Sequence, residues 1–185
     1  MALTFDDGWN RSACNRIAQA LRSRRAKGTF FINGRYLAQK PKRWARILRG
    51  MPVGNHTHSH LDLVRQSDAS IRNELLRNEA VHERLLGRPM LKLLRPPYGS
   101  HDTRVRQVAA GAGYRRVVLW NVDTSDWSPS ATVSSVVARA TGARAGSIIL
   151  MHCARDVTVA ALPAIIRHYR SRGIGLVGLG KLLRR

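Results

Sequence analysis

Short apolar runs alternate with longer amphipathic stretches from end to end of this 185-residue chain. Ala2 to Phe5 reads as a strand, and Ser12 to Arg24 as a helix with Ile17 and Leu21 on one face. Gly28 stops that helix, and Thr29 to Ile32 is a second strand. Pro41 opens a helical piece to about Leu48, and Met51 to Asn55 leads into a histidine-bearing segment. The longest helix covers 67 to 86: Ser67 or Asp68 caps it, Ile71, Leu75, Leu85 and Leu86 supply its buried stripe, and Gly87 ends it. Leu91 to Leu94, Arg116 to Trp120, Ser147 to His152 and Gly175 to Val177 read as further strands. Helices run through about Gln107 to Ala110, from Ser130 or Thr132 to about Ala140, and from Val159 to Arg172 behind Pro163. Strands alternating with helices bury both faces of a parallel sheet, and about seven such units fit a single domain over residues 1–185.

Polar clusters fall just after the strands: Asp6-Asp7, Arg95, Asp123 with Asp126, and His152. In a barrel of parallel strands those ends converge on one face, where active sites form. An open doubly wound sheet is the alternative, but no glycine-rich phosphate loop follows the first strand, so nucleotide binding has little support.

Lys+Arg 32 against Asp+Glu 11 gives a net charge of +21. The cations are mostly arginine and are spread along the chain. A solvated surface accounts for such charge, and so does work beside a polyanion such as an acidic cell wall. Nucleic acid is not expected as a partner, because no basic-aromatic interleaving or helix-turn-helix pattern is present. No run of about 18 apolar residues exists, so no membrane-spanning helix is expected. Position 3 already lies in a strand, so no signal peptide is expected; the strand starts without a lead-in, as in a fragment of a longer precursor. Two cysteines, Cys14 and Cys153, are too few for a disulfide framework; they read equally as a pair flanking one site or as two buried thiols.

Acids are scarce in this chain, so the pairs Asp6-Asp7 and Asp123/Asp126 stand out. His56 and His60 lie four apart, which puts both on one side if the segment makes a helical turn, while His58 faces elsewhere, solvated or lining a groove. One carboxylate plus two imidazoles is a common ligand set for catalytic zinc, and a second carboxylate is then available as a base beside a metal-activated water.

Thr4-Phe5-Asp6-Asp7-Gly8, His56-Thr57-His58-Ser59-His60, Arg95-Pro96-Pro97-Tyr98, Asp123-Thr124-Ser125-Asp126-Trp127 and Leu150-Met151-His152 resemble, in order, the five motifs of the polysaccharide deacetylase (NodB-homology) family, carbohydrate esterase family four. The resemblance spans residue 3 to about 180. It implies an α/β fold, a distorted and incomplete (β/α) barrel. It makes Asp7, His56 and His60 ligands of a divalent metal: zinc, with cobalt or a similar ion fitting the same donors. It makes Asp6 the general base, oriented by Arg95, and His152 the general acid, held and charged by Asp126. The Tyr98 backbone N–H helps hold the oxyanion, and Trp120 and Leu150 form a small pocket for an acetyl methyl. Trp127 is expected to pack beneath the site. Two positions depart from the family pattern: Trp9 stands where proline is frequent, with a part in shaping the groove, and Cys153 where aspartate is usual. His101 reads as a solvated loop histidine, with a place lining the groove as the alternative.

The implied activity is hydrolysis of N-acetyl groups on an N-acetylglucosamine polymer, peptidoglycan or chitin in type, by a monomeric enzyme acting outside the cytoplasm or at the cell surface. An acetyl xylan O-esterase would need the same water and base. A binding module on a dead scaffold is the reading from another class, and the presence of all six of Asp6, Asp7, His56, His60, Arg95 and His152 speaks against it.

Overall fold

A computed structural model describes residues 1–184. In chain order the elements are β1 (Ala2–Asp7), α1 (Arg11–Ser23), β2 (Gly28–Ile32), α2 (Gly34–Gln39), α3 (Pro41–Ile47), β3 (Val53–Asn55), α4 (Asp68–Leu86), β4 (Leu93–Leu94), α5 (Thr103–Gly111), β5 (Arg116–Val117), β6 (Val122–Asp123), α6 (Val133–Thr141), β7 (Ile148–His152), α7 (Asp156–Ser171) and α8 (Leu179–Leu182). The strands are ordered β5-β4-β3-β2-β1-β7-β6. The fold is the expected α/β class, a distorted and incomplete (β/α) barrel whose seven strands run parallel. The described residues form two compact units, 1–30 with 50–52 and 120–184, and 31–49 with 53–119.

In the first unit, β1 pairs with β7 so that Ala2 faces Ile148 and Asp6 faces His152. Val122 of β6 lies opposite Ile149. Ala2, Leu3 and Phe5 are fully buried, and the Phe5 ring stacks on Phe30 at 5.2 Å between centroids. Gly28 is required there, since a Cβ on it would sit 2.6 Å from the Phe5 ring. Helix α1 starts where the Asn10 side chain accepts from the Ala13 N–H at 3.2 Å, and it buries Ala13, Cys14, Ile17, Ala18 and Leu21. Cys14 and Cys153 form a disulfide that ties this helix to the residue after β7 across 139 positions. In the chain-entropy model a cross-link of that span contributes about 5 kcal/mol. Thr132 and Ser135 close a capping box on α6, and Pro163 lies inside α7, not before it.

The stretch expected as a last strand, Gly175 to Val177, is irregular. It docks on the chain start instead, with the Met1 ammonium donating to the Gly175 carbonyl at 2.9 Å and the Val177 N–H to the Met1 carbonyl at 3.0 Å. Val53–Asn55 takes the place of a strand, which Pro52 and Gly54 had hidden. Gly54 lies so close to Phe31 that a Cβ would be 2.4 Å from its ring.

In the second unit, Leu63, Ile71, Leu75, Leu94, Val105, Val108, Ala109 and Tyr114 form an apolar cluster. Helix α4 has the expected bounds, with Ser67 accepting from the Ser70 N–H at 3.2 Å and Gly87 left-handed at φ 61°. Its buried stripe differs from expectation: Leu85 and Leu86 are half-buried, and the face is Ile71, Glu74, Leu75, Asn78, Glu79 and His82. That is a regular 3.6-residue phase carried by polar side chains, so apolarity alone marked only its first turn. These groups are used. Asn78 Nδ2 donates to the Ile32 carbonyl at 3.3 Å and to Asn55 Oδ1 at 3.0 Å. The Tyr114 hydroxyl donates to Glu79 at 3.0 Å.

His82 is fully buried, and neither ring nitrogen has a hydrogen-bond partner. Burial, reinforced by Arg88 and opposed by Glu79, pushes its pKa down to about 4. Above the ordinary histidine pKa the ring is neutral both folded and unfolded. As pH falls from about 6.5 to about 4 the unfolded chain binds a proton that the folded chain does not, so stability drops through that window by about 1.4 kcal/mol per pH unit. His82→Leu removes this slope component, which urea unfolding at pH 7 and at pH 4.5 measures in the two proteins; equal pH dependence in both would show that His82 does not fold neutral.

Candidate active site

At the end of β1 the backbone leaves the strand abruptly: Asp7 is left-handed at φ 72° and Gly8 has φ 150°. Adjacent strand residues point to opposite faces, so this turn lets Asp6 and Asp7 take different positions at one strand end. Asp6 is buried at 3 % exposure, and its carbonyl accepts from the Cys153 N–H at 3.0 Å.

Two strands along, Asp126 is almost wholly buried and gathers donors. One carboxylate oxygen takes the His152 backbone N–H at 2.7 Å and the Thr158 hydroxyl; the other takes His152 Nδ1 at 2.7 Å. Burial alone would lower the His152 pKa. The hydrogen bond and charge of Asp126, helped by Asp6 and Asp7, outweigh it and raise the pKa to about 9. The ring therefore carries a proton at neutral pH. Thr158 went unnoticed in the sequence, since a threonine in a first helical turn signals nothing beyond a helix start. Asp123 is not part of this pair. It shapes the loop, accepting from the Ser125 N–H at 2.7 Å and from the Trp127 indole at 3.4 Å. Trp127 is 49 % exposed, which corrects the expectation that it packs beneath the site: the left-handed Ser125, φ 53°, turns the loop outward. Leu150 is buried in β7 and Trp120 half-buried before β6.

The histidine segment is not a helical turn. It is an irregular loop after β3, left-handed at Thr57 (φ 65°) and His60 (φ 62°). Asn55 Oδ1 accepts from the Thr57 N–H at 2.9 Å, and Thr57 Oγ1 from the His60 N–H at 3.1 Å. The rings of His56 and His60 meet edge to face with centroids 5.0 Å apart, and Tyr98 packs on His60 at 4.8 Å. His56 Nδ1 lies 2.7 Å from the Arg95 carbonyl, an acceptor only, so Nδ1 carries the proton and Nε2 the lone pair a metal needs. His58, expected in solvent or in a groove, is buried at 6 % exposure against Gly34, where a Cβ would lie 2.4 Å from its Nδ1. Burial, then Arg77, lowers its pKa against the pull of Glu74, with Arg35 adding to the fall.

Arg95 is fully buried, with Nε donating to the Val118 carbonyl at 3.2 Å, Nη2 to the Leu119 carbonyl at 3.0 Å, and its guanidinium 4.4 Å above the Phe31 ring. Tyr98 is left-handed at φ 61° and 71 % exposed, so its backbone is turned by a strained residue. His101 Nδ1 bonds the Gly99 carbonyl at 3.0 Å and is half-buried.

Asp7, His56 and His60 each offer one ligand atom, and these atoms all lie within 4.8 Å of one another. One carboxylate and two imidazoles, that of His56 in a fixed tautomer, fit a borderline divalent ion. Such a donor set, with an aspartate-backed imidazolium on the same fold, is the equipment of a metal-assisted hydrolase.

The polysaccharide deacetylase family model matches residues 1–117. A peptidoglycan-N-acetylglucosamine deacetylase of Bacillus cereus is 33% identical over 189 residues, covering 100% of this chain and 88% of that protein. A chitooligosaccharide deacetylase of Bradyrhizobium is 32% identical, covering 97% and 89%. The solved structure of the peptidoglycan deacetylase PdaC from Bacillus subtilis superposes with a TM-score of 0.90 at 31% identity, covering 99% of this chain and 89% of that one. The chain belongs to the polysaccharide deacetylase family.

Replacing Asp126 by Asn removes the charge that holds the proton on His152. NMR titration of the metal-free protein should find the His152 ring near 9 in the parent and well below that in Asp126→Asn, where only the charges of Asp6 and Asp7 still oppose burial. A parent ring that titrates below 7 would refute the assignment.

Proposed function

We propose that this protein removes N-acetyl groups from an N-acetylglucosamine-containing polysaccharide, peptidoglycan or chitin in type, by metal-assisted hydrolysis. The observation that carries this reading is the convergence of the Asp7, His56 and His60 donor atoms in a chain of this family. Those three residues would hold the ion, which we take to be zinc. Bound there, it would supply Lewis-acid polarisation of the acetyl carbonyl and of the attacking water.

The chain's own groups divide the remaining work. Asp6 accepts the proton of the attacking water, and Arg95 serves to orient that carboxylate. The Tyr98 N–H donates to the oxygen that becomes negative, a contact stronger in the transition state than in the ground state. His152, protonated and held by Asp126, gives its proton to the leaving nitrogen, without which an amine anion would have to depart. Leu150 and Trp120 exclude water from the acetyl methyl. Acetate and a free amine are the products. We place all of this in one catalytic domain. Action outside the cytoplasm agrees with the Cys14–Cys153 disulfide, a bond favoured in oxidising compartments.

Acetate release from N-acetylglucosamine oligomers, peptidoglycan and acetylated xylan, with chelator and with re-added zinc or cobalt, tests the reading. Release confined to xylan would make the protein an ester hydrolase instead. Asp6→Asn should keep its metal and lose about 10²-fold or more in kcat, as loss of a general base does. His60→Ala should lose the metal itself, read by elemental analysis; full stoichiometry in that variant would remove His60 from the ligand set.

A further inference from the structure

We propose that Trp9, Trp127 and Arg155 form a recognition platform for a carboxylate-bearing sugar next to the acetylated one, so that an anionic glycan is preferred over a neutral one. The proposal rests on the deacetylase reading above and names the substrate class of that site. Of the four tryptophans, Trp9 and Trp127 stand out at 51 % and 49 % exposed, an uncommon state for the largest apolar side chain. Trp9 follows Asp7 by two positions and Trp127 follows Asp126 directly. Arg155, three residues past His152, joins them: its guanidinium lies 5.4 Å from the Trp9 ring centroid, and its Nη2 donates to the Trp127 carbonyl at 2.9 Å. The three residues leave the ends of β1, β6 and β7, which are neighbours in the sheet.

The indoles offer flat faces for the C–H faces of pyranose rings. The Trp127 ring is steadied by Asp123, and the Trp9 ring by the guanidinium. Arg155 offers the charge. Its sequence neighbour Asp156 is engaged by Arg16, and among the described residues no carboxylate pairs with Arg155. A guanidinium held between the Trp9 ring and the Trp127 carbonyl has lost much of its rotamer freedom, so its remaining N–H groups meet a carboxylate at small entropic cost. A chain of neutral N-acetylglucosamine has no such group, whereas a glycan with lactyl ether carboxylates does.

The test compares a peptide-free tetrasaccharide of alternating N-acetylglucosamine and N-acetylmuramic acid, which carries lactyl carboxylates, with chitotetraose. KM and kcat are measured on the zinc-loaded protein, and binding by calorimetry on the metal-free one. The parent should bind the anionic tetrasaccharide more tightly. Arg155→Gln should raise its KM about tenfold, the scale of one charge-assisted contact, and leave chitotetraose within about twofold by the same measure. Equal losses on both sugars would make Arg155 only a brace for the Trp127 loop and overturn the proposal, as would equal binding of the two sugars by the parent. Absence of acetate from either sugar, with the binding difference intact and erased in Arg155→Gln, would sink the deacetylase reading and leave the platform standing.

Discussion

The parallel pairing of β1 with β7 is the contact on which the first of the two units depends. It sets Asp6 opposite His152, residues 146 positions apart, and the Cys153 N–H closes the ladder on the Asp6 carbonyl. Because parallel strands end on the same side, β6 delivers Asp126 to the same place, and the Cys14–Cys153 disulfide fastens α1 behind it. A one-residue slip of this register would turn every buried side chain of β1 outward. The burial of Ala2, Leu3 and Phe5 prevents that slip, so the same apolar contacts that hold the core also align Asp6 with His152.

Most chemistry-bearing side chains here are held by backbone groups. The Arg95 carbonyl sets the His56 tautomer, the Val118 and Leu119 carbonyls hold the Arg95 guanidinium, and the His152 N–H holds Asp126, which in turn holds the His152 ring. Backbone partners move little, so the donors and acceptors are oriented before any substrate arrives. Among the described residues, five of the six left-handed non-glycine residues, Asp7, Thr57, His60, Tyr98 and Ser125, belong to the motif segments; Arg25 is the sixth. Each costs conformational free energy.

Much of this was readable from residue order. Alternating apolar and amphipathic runs announced the α/β class, and Ser67, Gly87 and Thr132 marked helix ends through local hydrogen bonds that a short segment carries with it. Asp6, Asp7, Arg95, Asp126 and His152 fall just past strand-like runs, the two histidines stand out by their spacing, and the resemblance of the five motifs joins them into one set. Less legible was how those residues are held. The i, i+4 spacing of His56 and His60 would place them together in a helical turn, but the segment is an irregular loop pinned by Asn55 and Thr57. His58 looked free and is packed on Gly34. The α4 face looked leucine-lined and is polar, because Asn78 and Glu79 answer to Asn55 and Tyr114 on other elements.

The division follows from range. Strand and helix periodicity, caps and the identity of the reactive groups reside within a few residues of each other, so the amino-acid order settles them. Whether Cys14 meets Cys153, which way Trp127 faces and why Gly175–Val177 binds the chain start in place of joining the sheet all turn on partners from distant parts of the chain. Those partners are chosen by competition for buried space and hydrogen-bonding groups, a competition that exists only once the chain has folded.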